Sequence, residues 1–179
     1  MKIFNNKEDA VKEYNNYILQ HKHNVIESWN KIQTKLYNHP FVKDKYINWY
    51  ITKLCNTHDD SKYSIEEFEP YRKYFYPTTE DIDKDIIQKE YDDAWVHHYT
   101  HNPHHWEYWV NYDENKERET LRFIREAYIV ERVCDWMAMS IFQEGHDNCL
   151  EWYYNNKKEM VMIPDDERFL ETVLHNMFK

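Results

Sequence analysis

The sequence predicts an all-α fold, arranged as a single-domain helical bundle over residues 1–179. The chain has only one Gly and five Pro, which leaves few of the tight turns that an all-β fold needs. Apolar side chains recur at steps of three and four residues over several long stretches, which is the spacing of one face of an α-helix. The segments between these stretches are short and polar, and no repeat, low-complexity tract or linker divides the chain.

The first predicted helix covers residues 7–37. Its apolar row is Val11, Tyr14, Ile18, Val25, Trp29, Ile32 and Leu36. His21 fills the position of this row between Ile18 and Val25 and should point inward, whereas His23 should point into solvent. A buried histidine at such a position either hydrogen-bonds a backbone carbonyl or serves a functional site, and the sequence leaves both open.

The second and third predicted helices cover residues 42–57 and 64–75, after a break at His39-Pro40. Ile47, Ile51, Leu54 and His58 share one helical face, so the second helix ends with His58 and Asp59 facing inward. These two residues offer an imidazole nitrogen and a carboxylate oxygen, both good ligands for a divalent metal ion. Ser64 followed three residues later by Glu67 predicts a capping box that opens the third helix.

A fourth helix is predicted over residues 81–101, where the histidines begin to cluster. Five of the eleven histidines fall between residues 97 and 105. His98 continues the apolar row of Ile87, Tyr91 and Ala94, so it is the inward member of the His97-His98 pair.

The next segment predicts a short helix with Asn102 as its N-cap and Pro103 as its first residue. This arrangement places His104 and His105 in the first helical turn. The alternative is a surface kink with polar histidines, beneath which the nearby tryptophans fill the core.

A fifth helix is predicted over residues 119–143, after a polar loop at 111–118, and Gly145 should end it. Its row is Leu121, Ile124, Tyr128, Glu131, Asp135, Ala138 and Phe142. Two carboxylates interrupt this apolar row, and a buried carboxylate is costly unless it is paired or bound to metal. Glu131 either forms a salt bridge with Arg122, Arg125 or a neighbouring helix, or orients a ligand histidine. Asp135 is predicted to bind metal. Two further helices are predicted, over residues 148–158 and from Pro164 onward.

The composition restricts the partners. The formal net charge is -10 and no basic patch is present, which argues against duplex nucleic acid and an anionic membrane surface. No apolar run approaches a membrane span, and the polar first residues do not resemble a signal peptide. Three separated cysteines, Cys55, Cys134 and Cys149, indicate reduced thiols, so we expect a cytoplasmic protein. A homodimer is left open, and a small anionic substrate is expected if metal ions supply positive charge.

Two resemblances follow from these motifs. The order of His21, His58-Asp59, the clustered histidines and Asp135 resembles the HD-domain superfamily of metal-dependent phosphohydrolases. Residues 58–62, His-Asp-Asp-Ser-Lys, are similar to the HDxGK signature of HD-GYP phosphodiesterases and HD-fold diiron oxygenases, with Ser61 in place of glycine. The chain also looks similar to a bacterial and phage family of unknown function, marked by H-x-x-N-V, HDxSK, HH-x-x-x-N-P-HHWE and E-x-x-x-D-W.

The superfamily resemblance implies a ligand set. It implies that a divalent ion (Fe, Mn, Co or Zn) is held by His21, His58, Asp59 and Asp135. Dinuclear members add two histidines, which His98 with His104 or His105 would match, and Asp59 would then bridge two ions.

Three further residues are candidates for catalysis. Lys62 matches the lysine that contacts substrate oxygens in HDxGK members, its alternative being an ordinary surface lysine. Glu131 and Glu107 are candidates to orient a ligand histidine, and Glu107 also to act as a base.

The resulting hypothesis is a metal-dependent phosphohydrolase acting on a nucleotide or another small phosphate ester through metal-activated water. Two alternatives remain open: an HD-fold diiron oxygenase, and a non-catalytic interaction protein with a structural metal.

Overall fold

The computed structural model describes residues 2–110 and 122–178. The all-α prediction is confirmed, because these residues form α-helices and two short 3₁₀ segments, with an isolated bridge between Phe4 and Thr78 and no strand. The α-helices are α1 (Lys7–Lys35), α2 (Pro40–Lys43), α3 (Lys45–Asn56), α4 (Phe68–Phe75), α5 (Lys84–His101), α6 (Trp106–Val110), α7 (Arg122–Glu144), α8 (Cys149–Asn156) and α9 (Pro164–Phe178). The 3₁₀ segments are Asp60–Tyr63 and Lys157–Glu159.

Two sequence predictions concern residues between the two described ranges. The polar loop predicted at 111–118 and the predicted start of the fifth helix at 119–121 lie outside the described residues.

Among the described helices, none combines the length and the apolar character that crossing a bilayer requires.

The chain divides into two compact units, and each is described by itself. The first unit consists of Met1–Gln20 and Asp59–Asn102, and the second of His21–His58 and Pro103–Lys179. Helix α1 therefore contributes its first part to the first unit and the remainder to the second. The single domain over residues 1–179 stays a prediction.

In the second unit, α3, α8 and α9 all pack against α7. The apolar row of α1 enters the same core through Val25, Trp29 and Ile32, which are all buried. Trp29 Nε1 also donates a hydrogen bond to Thr52 Oγ1 at 2.9 Å. Each such apolar side chain contributes about 1.5–3 kcal/mol of burial free energy, so this core fixes α1, α3 and α7 together.

In the first unit, α4 packs against α5 around a buried cluster of Tyr14, Ile18, Tyr71 and Ala94. An ion pair fixes the segment that follows α4. The guanidinium of Arg72, in α4, donates hydrogen bonds to the carboxylate of Asp81 at 2.7 and 3.2 Å. Burial raises the pKa of Asp81, but the hydrogen bonds from Arg72 and Thr78 outweigh it, so this pKa lies well below its usual range.

The predicted helix at 42–57 is two helices, α2 and α3, which meet at Asp44. Asp44 has an extended backbone, and its carboxylate accepts hydrogen bonds from the backbone N–H of Tyr46 and Ile47 at 2.9 and 3.0 Å. It is therefore the N-cap of α3. The apolar row of this predicted helix did not reveal the interruption, because its first member, Ile47, lies after Asp44.

The predicted capping box of Ser64 and Glu67 is wrong. Helix α4 begins at Phe68, and within the described part of the chain Glu67 makes no capping hydrogen bond and the buried Ser64 Oγ has no hydrogen-bond partner. The Glu67 carboxylate is bound instead by His97 and His98. A hydrogen bond to a charged group contributes about 1.5–3 kcal/mol, whereas a cap contributes about 1 kcal/mol, so the histidines prevail.

The predicted helix start at Asn102-Pro103 is also wrong. Asn102 ends α5, with its backbone N–H bonded to His98 O at 3.0 Å and its side-chain amide bonded to Ser61 Oγ at 2.7 Å. Helix α6 begins only at Trp106, so His104 and His105 lie in the turn before it.

The prediction for Gly145 is confirmed. Its φ is +74°, in the left-handed region that glycine tolerates, and its N–H bonds Ile141 O at 3.0 Å at the end of α7.

Candidate metal centre

Three residues from separate segments of the second unit form the centre. His21 lies in the interior of α1, His58 follows the end of α3, and Asp135 lies in α7. Both histidines are 1% exposed. Each position follows from local structure, since His21 and Asp135 lie in apolar helical rows and His58 follows Thr57, the C-cap of α3.

The ligand atoms of these three residues converge. His21 Nε2 lies 3.1 Å from Asp135 Oδ1 and 3.2 Å from His58 Nε2, and His58 Nε2 lies 3.5 Å from the same Oδ1. Burial raises the pKa of Asp135, but the hydrogen bonds from His21 and His58 outweigh it and hold this pKa well below its usual range. Asp135 is therefore a carboxylate at neutral pH.

The spacing of these atoms fits a divalent metal ion. Bonds of about 2.1 Å from a metal to nitrogen or oxygen put two ligand atoms about 3.0 Å apart at a right angle and about 3.4 Å apart at the tetrahedral angle. The three observed distances, 3.1, 3.2 and 3.5 Å, lie close to this range. Two imidazoles and a carboxylate are a donor set that suits Fe, Mn, Co and Zn.

Glu131, one helical turn before Asp135, contacts the opposite side of His58. Glu131 Oε1 lies 2.9 Å from His58 Nδ1, and the residue is 4% exposed. An ionised carboxylate can only accept hydrogen bonds, so His58 Nδ1 carries a hydrogen and the other ring nitrogen, Nε2, faces the centre. Burial raises the pKa of Glu131, but the interactions with His104 and His58 outweigh it, and this pKa lies below its usual value.

The arginines that were expected as salt-bridge partners of Glu131 bind other acids. Arg122 donates to Glu126 at 2.7 Å, and Arg125 pairs with Asp166. Of the two alternatives for Glu131, the geometry matches the one in which it contacts a ligand histidine. Such carboxylate–histidine pairs fix ring orientation at many metal sites.

His104 is a further donor near the centre. One of its ring nitrogens lies within 4.8 Å of ligand atoms of His58 and Asp135, and its Nδ1 is 3.5 Å from Glu131 Oε1. Its carbonyl oxygen accepts a hydrogen bond from Arg132 Nε, which fixes the turn before α6. Arg132 is buried, and burial lowers its pKa to about 10.

His105 and Glu107 lie beside this turn and are half-buried. The ring centroids of His104 and His105 are 4.3 Å apart. Burial raises the pKa of Glu107, with Arg132 and His104 offsetting part of the effect. The role of His105 as a ligand and that of Glu107 as a base stay predictions.

The first unit contains a second cluster, formed by Asp59, Lys62 and His98. Asp59 Oδ2 lies 2.7 Å from Lys62 Nζ, and Asp59 Oδ1 lies 3.4 Å from His98 Nε2. Burial lowers the pKa of Lys62, but Asp59 outweighs it and raises this pKa well above its usual value. The Lys62 side chain is only 13% exposed, so the surface-lysine alternative is wrong, and its contact with substrate stays a prediction.

Glu67 completes this second cluster, although the sequence assigned it to a cap. Its Oε2 lies 2.8 Å from His98 Nδ1 and its Oε1 lies 2.8 Å from His97 Nδ1. Burial raises the pKa of Glu67, but the hydrogen bonds from both histidines outweigh it, and this pKa lies below its usual value. Its partners stand about thirty residues later in the chain, so no local pattern could reveal them.

Within each unit, the structure brings some of the predicted ligands together. It brings together His21, His58, His104 and Asp135 in the second unit, and Asp59 with His98 in the first. Two side chains that the sequence analysis did not assign to a site, Glu67 and Arg132, hold members of these sets in place.

Comparison with known proteins identifies the family. The model of a family of unknown function, DUF5662, matches residues 10–176, and the chain belongs to this family. Searches of curated proteins and of solved structures found no significant match. Since the family carries no assigned activity, a functional conclusion has to come from the site.

Proposed function

We propose that this protein is a metal-dependent phosphohydrolase of the HD-domain type, acting on a small phosphate ester such as a nucleotide. The observation that carries the proposal is the approach of His21 Nε2, His58 Nε2 and Asp135 Oδ1 to within 3.1–3.5 Å of one another in the second unit. The likeness of residues 58–62 to the HDxGK signature supports it.

The donor set defines the chemistry. A divalent ion bound there would lower the pKa of its water ligand toward neutrality and polarise a phosphoryl oxygen. It would also supply the positive charge that a chain with a formal net charge of -10 needs to attract an anionic ester. This local charge is why the acidic composition is compatible with a phosphate substrate.

The side chains of the centre prepare it for this chemistry. Asp135 contributes the one negative charge among the three converging ligands. Glu131 holds His58 with Nε2 toward the centre, so the ring does not have to reorient on binding. Arg132 holds the backbone of His104 beside them.

The proposal is tested by hydrolysis of p-nitrophenyl phosphate, bis-p-nitrophenyl phosphate and nucleotides with added Mn, Co, Fe or Zn. We expect metal-dependent turnover that Asp135→Asn abolishes. The matched control is Asp165→Asn, because Asp165 is an exposed residue of α9 paired with Arg168, and this variant should keep full turnover. Absence of turnover with every metal and substrate would overturn the proposal.

The same preparations separate the proposal from its alternatives. Oxygen consumption by the iron-loaded protein in the presence of a diol or a phosphonate, without ester hydrolysis, would identify an oxygenase. Metal loss that unfolds the protein, with neither activity, would identify a structural metal.

A further inference from the structure

We propose that the solvent-exposed face of α3, in the second unit, binds single-stranded nucleic acid. This aromatic–lysine face consists of Lys45, Tyr46, Trp49 and Lys53. Counted from Trp49, the other three residues lie four before, three before and four after, so all four side chains share one face of the helix. The proposal does not depend on the metal centre, because none of these residues belongs to it.

Two large aromatic rings are exposed on this face. Trp49 is 55% exposed and Tyr46 is 59% exposed, whereas the opposite side of α3 buries Ile51 and Cys55. Tryptophan is highly buried on average, so this exposure leaves an unusually large apolar area in water. Stacking of a planar partner on these rings would remove that area from solvent.

Neighbouring side chains hold the two rings in place. The ring centroids of Tyr46 and Trp49 are 5.9 Å apart, and the ring of Phe123, in α7, makes a T-shaped contact with Tyr46 at 5.8 Å. Lys53 Nζ lies 5.9 Å from the centroid of the Trp49 ring, within the range of a cation–π contact. Because the rings are already ordered by these contacts, less side-chain entropy is lost when a partner binds.

The charge of this segment is opposite to that of the chain. Residues 43–53 contain three exposed lysines, Lys43, Lys45 and Lys53, and one acidic residue, Asp44, whereas the formal net charge of the whole chain is -10. The Asp44 carboxylate accepts hydrogen bonds from two backbone N–H groups of α3. Within the described part of the chain, none of the three lysines forms an ion pair with a carboxylate. Their positive charge is therefore available to a polyanion.

This combination favours single-stranded nucleic acid over other partners. Unpaired bases stack on exposed aromatic rings while lysines contact the phosphates, whereas the bases of a duplex are already stacked on one another. Lysine is depleted at protein–protein interfaces, and two copies of the chain that met through this face would bring like charges together. A membrane-bound helix would expose aliphatic side chains as well, but α3, all of which is described, exposes no Leu, Ile or Val.

The test is fluorescence anisotropy of a labelled oligothymidine of about ten nucleotides, titrated with the full-length protein at low salt in EDTA. The wild type should bind, and Trp49→Ala should weaken binding about 5–150-fold, the effect of losing the stacking of one base. Trp49→Phe keeps an aromatic ring and should retain most of the affinity. The matched control is Trp152→Ala, which removes an exposed tryptophan of α8 in the same unit and should bind like the wild type.

The salt dependence of the same affinity tests the lysines separately. Each phosphate contact that is lost should make the slope of log K against log salt concentration less steep by about 0.7. The double variant of Lys45→Gln and Lys53→Gln should therefore change this slope by about 1.4. The control Lys158→Gln alters an exposed lysine outside the face and should leave the slope unchanged.

Three results would overturn the proposal: no binding of the wild type at low salt, wild-type affinity in Trp49→Ala, or equal affinity for a duplex of the same length. Trp49-dependent binding to phosphatidylserine vesicles or to an acidic peptide, without binding to the oligonucleotide, would also overturn it and assign the face to that partner. Failure here would leave the phosphohydrolase proposal standing, because that proposal depends on metal-dependent turnover.

Discussion

Replacing Glu131 by Gln tests how the candidate metal centre of the second unit is organised. The substitution keeps the shape of the side chain and an acceptor oxygen for His58 Nδ1, 2.9 Å away, but removes the charge. Loss of such a partner of a ligand histidine typically lowers metal affinity about 10–100-fold. This corresponds to about 1.4–2.7 kcal/mol of binding free energy.

The assay is metal binding by calorimetry, together with chemical unfolding with and without metal. At a free metal concentration of 100 times the wild-type Kd, binding stabilises the wild type by about 2.7 kcal/mol. At the same concentration Glu131→Gln should gain only about 0.4–1.4 kcal/mol, the values for affinities reduced 100-fold and 10-fold.

Glu126→Gln is the matched control for this experiment. Glu126 lies on the same helix, α7, and bonds the exposed Arg122 at 2.7 Å. Solvent screens such an exposed pair, so removing its negative charge should leave metal affinity unchanged. Wild-type affinity in Glu131→Gln, with the fold intact, would refute the reasoning that Glu131 prepares His58 for a metal ion.

Three predictions concern the fold. Asp44→Ala removes the N-cap of α3 and should lower the free energy of unfolding by about 1 kcal/mol in urea titrations; an unchanged midpoint would contradict the capping assignment. Leu170→Ala opens a cavity in the core of the second unit and should cost about 2–5 kcal/mol by the same method, whereas a loss under about 1 kcal/mol would mean that α9 is not packed as described. Asp81→Asn should destabilise the protein at neutral pH, because the folded pKa of Asp81 lies below its unfolded value and the ionised group stabilises the fold above the latter. The difference between wild type and Asp81→Asn should shrink as the pH falls below about 4, and a difference that stays constant in melts down to pH 3 would refute the role of the Arg72 contact.

The sequence predicted those parts of the fold that repeat along a helix. The apolar row of α1 runs through both units at steps of three and four, and it correctly placed Ile18 and Val25 in the interior with His21 between them. The row of α7 likewise placed Glu131 and Asp135 on its buried side. A polar residue within an apolar row is a local signal, and this is why these candidates could be found.

The predictions from sequence were wrong where a residue of a local motif binds a partner that is distant in the sequence. Ser64 and Glu67 have the spacing of a capping box, but the partners of Glu67 are His97 and His98, which only the folded chain brings near. Asn102 similarly has the sequence position of an N-cap, but its side-chain amide donates a hydrogen bond to Ser61 Oγ instead. Spacing rules describe contacts three or four residues apart and carry no information about such pairs.

The most direct measurement is elemental analysis of the protein purified without added metal, compared with the Asp135→Asn variant. If His21, His58 and Asp135 share a divalent ion, the wild type should retain at least one equivalent of a transition metal after gel filtration. The variant should retain substantially less. A folded wild type that carries no such metal, and takes up none when incubated with Fe, Mn, Co or Zn, would contradict the metal centre.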